Sequence, residues 1–163
     1  MAVDAHPDFH SSRIGRFAAG ERGITVVEVQ HHHAHALSCM AEHGLDEAVA
    51  LVFDGTGLGT DGTIWGAELL HVDGVGFERL GSFAPVRLPG ADAAVRYPAR
   101  QLAARFFDAG VYADDRLQCI GASVDQIHAW HGQCARGFNA PFTHAAGRLF
   151  DAVSVALGLA PIM

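Results

Sequence analysis

The sequence predicts one α/β or α+β domain, in which a mixed sheet with antiparallel hairpins is followed by helices. Apolar runs of strand length alternate with glycine-rich turns in the first half of the chain, whereas the second half is alanine-rich and has helical periodicity. One apolar run passes directly into a histidine-rich helix after Gln30. Half of the 163 residues are hydrophobic and 18% are charged, which provides for a core and argues against disorder.

The first half contains the predicted strands. Asp73-Gly74 is a typical hairpin turn, and Gly20 and Gly44 stand where glycine commonly ends a helix. We expect a short strand over 1–5, a helix that ends at Gly20 and a buried strand over 24–30. A second helix then ends at Gly44, with Leu37, Met40 and Ala41 facing inward. Further strands are expected over 48–53, 63–70 and 77–83, with Phe53 and Trp65 in the core.

The second half, beyond Pro89-Gly90, is predicted to be helical. The apolar spacing indicates helices over 91–107, with an interruption at Pro98, over 124–130 and over 146–157. The chain has no internal repeat and no linker-like segment, so we interpret residues 1–163 as a single domain.

Charge and composition exclude several classes of partner. A net charge of -7 gives no general attraction to nucleic acid or to an anionic membrane. No apolar run approaches the ~20 residues of a membrane span, and the N-terminus does not resemble a signal peptide. We therefore expect a soluble, cytoplasmic protein whose three cysteines are small buried side chains and not a disulfide framework.

A histidine run at residues 31–35 is the strongest candidate for a functional site. His31 and His35 are four positions apart, so on a helix they share one face and can bind one ion. Imidazole is a common ligand of zinc and iron. The alternatives are a solvated surface run or a tag, but this run is internal and leads into a helix. We therefore predict that His31 and His35 bind a divalent metal.

A glycine-rich segment at residues 54–62 joins two of the predicted strands. Its glycines let the backbone approach a ligand, and successive N–H groups can bind an anion. Asp54, at the end of the first strand, is placed to orient a substrate, a water or a metal. By itself the segment is explained equally well as a hairpin that bends at Asp61-Gly62. Because a strand follows it, neither a Walker loop nor a Rossmann fingerprint fits.

Five short motifs occur in a consistent order along the chain. They are DAHPD at 4–8, VQHHHAH at 29–35, DGTG at 54–57, LPG at 88–90 and GRLFDA at 147–152. Together they resemble the HypF family, the carbamoyltransferases of [NiFe]-hydrogenase maturation. The resemblance extends to about Leu159 and implies part of an actin-like ATPase (ASKHA) fold, in which a strand, a glycine-rich hairpin and a second strand face phosphate.

The resemblance also implies an activity and a set of site residues. HypF proteins make carbamoyl-adenylate from carbamoyl phosphate and ATP, and they transfer the carbamoyl group to the C-terminal cysteine of their partner HypE. By this resemblance His31 and His35 hold iron or zinc, and His32 and Asp54 are catalytic. The residues implied to bind substrate or nucleotide are Asp54, Gly55, Thr56, Gly57, Gly59, His144, Gly147 and Asp151.

The chain departs from the family pattern in ways that leave alternatives open. The third metal ligand is expected to be a carboxylate in an Asp-Gly-Gly-like segment, which does not occur before Met163, so the two histidines are predicted to be an incomplete site. The family's other domains and its opening strand hairpin have no counterpart in residues 1–163, so we expect these residues to form an incomplete carbamoyltransferase domain that lacks N-terminal and C-terminal parts of the family fold. The alternatives are an inert fragment that keeps some metal or nucleotide affinity, and a related O-carbamoyltransferase or an actin-fold kinase.

Arginines at 96, 100 and 105 could meet a phosphate. In a chain of net charge -7, however, we expect them to be solvated or paired with Asp92 and Asp108.

Overall fold

A computed structural model describes residues 1–159, and the last four residues of the predicted domain lie outside the described part. The strands are β1 (Ala2–Asp4), β2 (Val27–Val29), β3 (Ala48–Leu58), β4 (Ile64–Val72), β5 (Phe77–Ser82), β6 (Val86–Arg87) and β7 (Phe142–Thr143). The helices are α1 (His10–Arg22), α2 (His31–His43), α3 (Asp92–Arg96), α4 (Ala99–Asp108), α5 (Asp114–Cys119), α6 (Val124–Arg136) and α7 (Ala146–Ala156).

The strands form two sheets. β1 and β2 pair in parallel, and the larger sheet has the order β3-β4-β7-β6, with β5 also paired to β4. β4 is antiparallel to β3 and β5 but parallel to β7, so the larger sheet is mixed. The prediction of a mixed α/β fold with antiparallel hairpins followed by helices is therefore confirmed.

Two apolar clusters hold these elements together. Helix α2 covers one face of the larger sheet, where Ala36 and Met40 pack with Trp65 and Leu70. The helical second half has its own core, built from residues of α4, α5, α6 and α7. Removing such side chains from water is the main favourable term in folding, at roughly 25 cal/mol for each Å² of apolar surface.

Local signals define both ends of α2. The side chain of Gln30 accepts a hydrogen bond from the backbone N–H of His33, which caps the first turn. Gly44 ends the helix in the left-handed region with φ of 64°, as predicted. His31 is therefore the first residue of the helix, and Gln30 alone separates it from β2.

Several predictions about the strands are wrong. The strand expected over 24–30 forms only at Val27–Val29, and Val27 is exposed rather than buried. Phe53 is 56% exposed, because the face of β3 that carries it lies opposite the face covered by α2. β3 continues through the glycine-rich segment as far as Leu58, so the bend itself lies between Leu58 and Ile64.

The helix predictions need smaller corrections. α1 continues past Gly20 and ends at Gly23, whose backbone is left-handed. Ala41 faces solvent, whereas the interruption at Pro98 separates α3 from α4 as expected. The sequence did not indicate α5, β6 or β7, which are all short. Of the three cysteines only Cys134 is buried, so the expectation for Cys39 and Cys119 is wrong.

None of the helices within residues 1–159 combines the length and apolar character needed to cross a membrane.

Candidate functional site

Three side chains converge where α2 begins and β3 passes beneath it. One ligand atom each of His31, His35 and Asp54 lies within 4.8 Å of the other two. Nε2 of His31 is 3.2 Å from Nε2 of His35 and 3.3 Å from Oδ2 of Asp54. That oxygen is buried and has no hydrogen-bond partner within the described residues. Asp54 therefore places one carboxylate of this chain beside the histidine pair, and the predicted contribution of a later Asp-Gly-Gly-like segment stays a prediction.

The orientation of His31 is set by a second carboxylate, which the sequence reasoning did not single out. Oδ2 of Asp4 lies 2.7 Å from Nδ1 of His31, while Oδ1 of Asp4 accepts the backbone N–H of His6. A proton held on Nδ1 toward Asp4 leaves the Nε2 lone pair of His31 free for the cluster. Asp4 belongs to the DAHPD motif, but the separation of 27 positions between Asp4 and His31 in the sequence does not by itself predict that the two side chains are in contact.

His32 lies beneath the cluster and is completely buried. The side-chain amide nitrogen of Gln30 donates to the Leu58 carbonyl and lies 3.1 Å from Nδ1 of His32. Because an amide nitrogen can only donate, Nδ1 of His32 accepts this hydrogen bond, and the neutral ring carries its proton on Nε2. Nε2 points toward Oδ2 of Asp54 at 4.0 Å. Burial lowers the pKa of His32, and the charge of Asp54 opposes this only in part. A neutral His32 is therefore placed to donate a hydrogen bond at this site.

The glycine-rich segment packs closely on its surroundings at three points. A Cβ on Gly57 would lie 2.3 Å from Cε1 of His32, and one on Gly59 would overlap the indole of Trp65. A Cβ on Gly147, in the first turn of α7, would lie 3.1 Å from Cα of Gly55. The absence of side chains at these positions therefore lets β3 lie against His32 and lets the N-terminus of α7 approach the segment.

The other residues predicted for the nucleotide lie on or before α7. Gly147 and Asp151 belong to the helix that meets the glycine-rich segment. Asp151 pairs with Nε of Arg148 at 2.9 Å, and burial raises the pKa of Asp151 despite that charge. His144 is buried, and its Nδ1 lies 2.7 Å from the Phe83 carbonyl, to which it can donate. Nδ1 of His144 thus contacts the backbone just after β5 and is not free to bind a ligand.

A network of charged residues holds the bend of the glycine-rich segment. Arg79 donates to Asp61 Oδ2 at 2.9 Å and to the buried Glu68 Oε2 at 2.7 Å, and its guanidinium lies 4.3 Å from the ring centroid of Trp65. Desolvation disfavours the Asp61 carboxylate, but hydrogen bonds from Thr63 and Trp65 and the charge of Arg79 outweigh it and lower the pKa of Asp61 to about 2. This network was not predicted, because its members come from the bend, β4 and β5 and meet only in the folded sheet.

A family model described as the second subdomain of the carbamoyltransferase Kae1-like domain matches residues 50–163, and one described as the HypF Kae1-like domain matches residues 1–42. The chain belongs to the HypF family. The resemblance inferred from the five motifs is therefore confirmed, and the family matches cover both the histidine helix and the glycine-rich segment.

Individual HypF proteins are similar along nearly the whole chain. Carbamoyltransferase HypF of Rhodobacter capsulatus is 42% identical over 99% of this chain, and HypF2 of Cupriavidus necator is 42% identical over 97%. A crystal structure of full-length HypF in a phosphate- and nucleotide-bound form superposes on 99% of the chain with a TM-score of 0.86 at 34% identity. A crystal structure of T. kodakarensis HypF gives a TM-score of 0.84 over 99% at 32% identity.

The chain spans only part of these relatives. It covers 22% of the R. capsulatus protein, 20% of C. necator HypF2, 25% of the nucleotide-bound HypF chain and 23% of the T. kodakarensis chain.

Proposed function

We propose that this chain forms the carbamoyl-transfer site of a HypF-type protein that acts on the C-terminal cysteine of HypE. The observation that carries the proposal is the convergence of His31, His35 and Asp54 beside the glycine-rich segment. The donor is carbamoyl-adenylate, made elsewhere in the protein from carbamoyl phosphate and ATP. Both are cytoplasmic metabolites, which supports a cytoplasmic location.

The reaction is an acyl transfer to sulfur. The thiolate of the acceptor cysteine attacks the carbonyl carbon of carbamoyl-adenylate and forms a C–S bond. The bond from that carbon to the phosphate oxygen breaks, and AMP leaves with its electron pair. The thiol proton passes to solvent. AMP is a good leaving group, so the site must chiefly orient the thiolate and stabilise the negative oxygen of the tetrahedral intermediate.

The donor set fits iron or zinc. Two imidazole nitrogens and one carboxylate oxygen are ligands that both metals accept, and three protein ligands leave a position open for substrate. The unpartnered Oδ2 of Asp54 and the fixed ring of His31 support this assignment. A bound ion would polarise the carbamoyl carbonyl as a Lewis acid.

The remaining site residues are assigned from their hydrogen-bonding capacity. His32 presents an N–H at Nε2, so we assign it as a hydrogen-bond donor toward the substrate or Asp54 and not as the base. The backbone N–H groups of Thr56 and Gly57 and the N-terminus of α7, which has no side-chain cap, can hold the adenylate phosphate. The N–H of Gly55 donates to Oδ1 of Asp54 at 2.6 Å, so Gly55 contributes by leaving space for the ligand. On α7, Gly147 allows the close approach to the glycine-rich segment, and we assign Asp151, whose carboxylate pairs with Arg148, to the nucleotide side.

The test supplies chemically prepared carbamoyl-adenylate and a peptide with the C-terminal sequence of HypE to the intact protein. We expect release of AMP and S-carbamoylation of the terminal cysteine. Asp54→Asn should abolish transfer, and Asp46→Asn, an exposed carboxylate before β3, should not. A wild-type protein that binds metal and nucleotide but transfers no carbamoyl group would support the alternative, a binding unit without catalysis.

A further inference from the structure

A cavity of about 490 Å³ lies beside the site, between the loop after β1, the glycine-rich segment and α3. We call it the Arg96 cavity. Its walls include His6, Phe9, Gly57, Leu88, Asp92 and Arg96. Except for the polar groups of His6, Thr56, Asp92 and Arg96, the lining is apolar. The cavity can therefore hold an aliphatic or peptide group that carries one charged end.

The Arg96 cavity adjoins the candidate metal cluster through two of its lining residues, Phe9 and Gly57. The ring of Phe9 meets the ring of His31 edge to face, with centroids 6.3 Å apart. Gly57 lies three residues after Asp54 on β3 and packs directly against His32. A group bound in this cavity is thus next to the side chains proposed to act on the carbamoyl carbon.

The charges of the cavity select its ligand. Arg96 is exposed, and within residues 1–159 it has neither a salt bridge nor a side-chain hydrogen bond. Asp92, four positions earlier on α3, lines the same cavity, so the two charges nearly cancel. Asp92 repels a doubly charged phosphate about twice as strongly as it repels a singly charged carboxylate at the same distance. One guanidinium matches a single carboxylate, which it can bind through two parallel hydrogen bonds.

We propose that the Arg96 cavity receives the C-terminal residue of the acceptor, with Arg96 paired to its terminal carboxylate. This inference rests on the proposed function, in which the acceptor is a C-terminal cysteine. Thiol and carboxylate belong to the same residue, so anchoring the carboxylate at Arg96 directs the sulfur toward His31 and Asp54. A terminal carboxylate is also the one group that distinguishes a C-terminal cysteine from an internal one. Arg96 is thus a specificity-determining residue.

The test compares two fluorescent peptides ending in the HypE C-terminal sequence, one with a free carboxylate and one with a C-terminal amide. Fluorescence anisotropy gives their affinities for the intact protein, and transfer assays give KM and kcat. We expect amidation to weaken wild-type binding about tenfold, the effect of one partly exposed charge-assisted hydrogen-bonded pair. Arg96→Gln should weaken binding of the acid peptide to the same extent, so that the acid and amide peptides bind equally well, and it should raise the KM of the acid peptide accordingly.

Arg13→Gln is the matched control, because Arg13 is an exposed arginine of α1 away from the cavity. It should behave as wild type. Equal affinity of the wild type for both peptides would overturn the inference. So would an Arg96→Gln variant that binds AMP more weakly but keeps the wild-type ratio of affinities for the acid and amide peptides. The proposed function fails separately, through absence of carbamoyl transfer by the wild type, because peptide affinities remain measurable in that case.

Discussion

Oδ2 of Asp4 lies 2.7 Å from Nδ1 of His31, and this contact orients the ring whose Nε2 faces His35 and Asp54. Carboxylates in this position fix the tautomer of a histidine ligand and raise its basicity. We expect Asp4→Asn to weaken iron or zinc binding about 10–100-fold without removing a ligand. Metal titration against a competing chelator measures the change. Asp8→Asn in the same loop is the control, and unchanged affinity of Asp4→Asn would show that the contact has no role in metal binding.

The histidine pair itself supplies two of the three candidate ligands. Replacement of both His31 and His35 by Ala should abolish stoichiometric binding of iron or zinc, because a lone carboxylate holds such an ion weakly. Metal content after anaerobic loading and desalting measures this. The control replaces His10 and His43, two exposed histidines outside the cluster. If the double variant of His31 and His35 keeps one metal per chain, the metal assignment is wrong.

Gly57 is the point where β3 packs on His32. A methyl group there would lie 2.3 Å from Cε1 of the buried imidazole, so strand or ring must move. We expect Gly57→Ala to lower the free energy of unfolding by about 1–3 kcal/mol, as overpacking of a filled site does. Urea denaturation measures this. Gly81→Ala on β5 meets no atom within 4 Å and should change stability little; equal effects of the two variants would contradict the packing argument.

Asp61 makes stability depend on pH in the acid range. Its pKa is about 2 in the folded protein and about 3.8 without the fold, so the unfolded state binds the proton more tightly. The carboxylate therefore contributes its full stabilisation above about pH 4 and loses it as the pH falls toward 2. We expect Asp61→Asn to be less stable than wild type at pH 7, with the difference shrinking between pH 4 and 2. Urea midpoints across this range measure it, and Asp46→Asn, which lies outside the network, should show no such trend.

The three cysteines should differ in reactivity. Burial raises the pKa of Cys134 to about 11, so at pH 8 its thiolate is scarce as well as inaccessible. Cys39 and Cys119 are exposed. We expect an aromatic disulfide reagent to react rapidly with two thiols of the native protein and with the third only after denaturation. Cys134→Ser should keep both rapid reactions; rapid release of three equivalents from the folded wild type would contradict the assigned burial.

Features that depend on near neighbours along the chain could be predicted from the amino-acid sequence. Helix α2, its end at Gly44 and the shared face of His31 and His35 follow from helical periodicity and from the backbone freedom of glycine. The order of five motifs determined the family, and alternating apolar runs with glycine turns determined the mixed α/β class.

Contacts between groups that are distant in the chain could not be predicted in this way, because they depend on how the elements pack. Asp54 joins the histidines because β3 passes beneath the first turn of α2, and no spacing in the chain encodes that distance. The exposure of Phe53 could not be predicted either. An apolar strand sequence indicates that both faces could be buried, but it does not show which face another element covers. Periodicity reports how side chains are arranged along one element, whereas a site of several ligands depends on how separate elements pack.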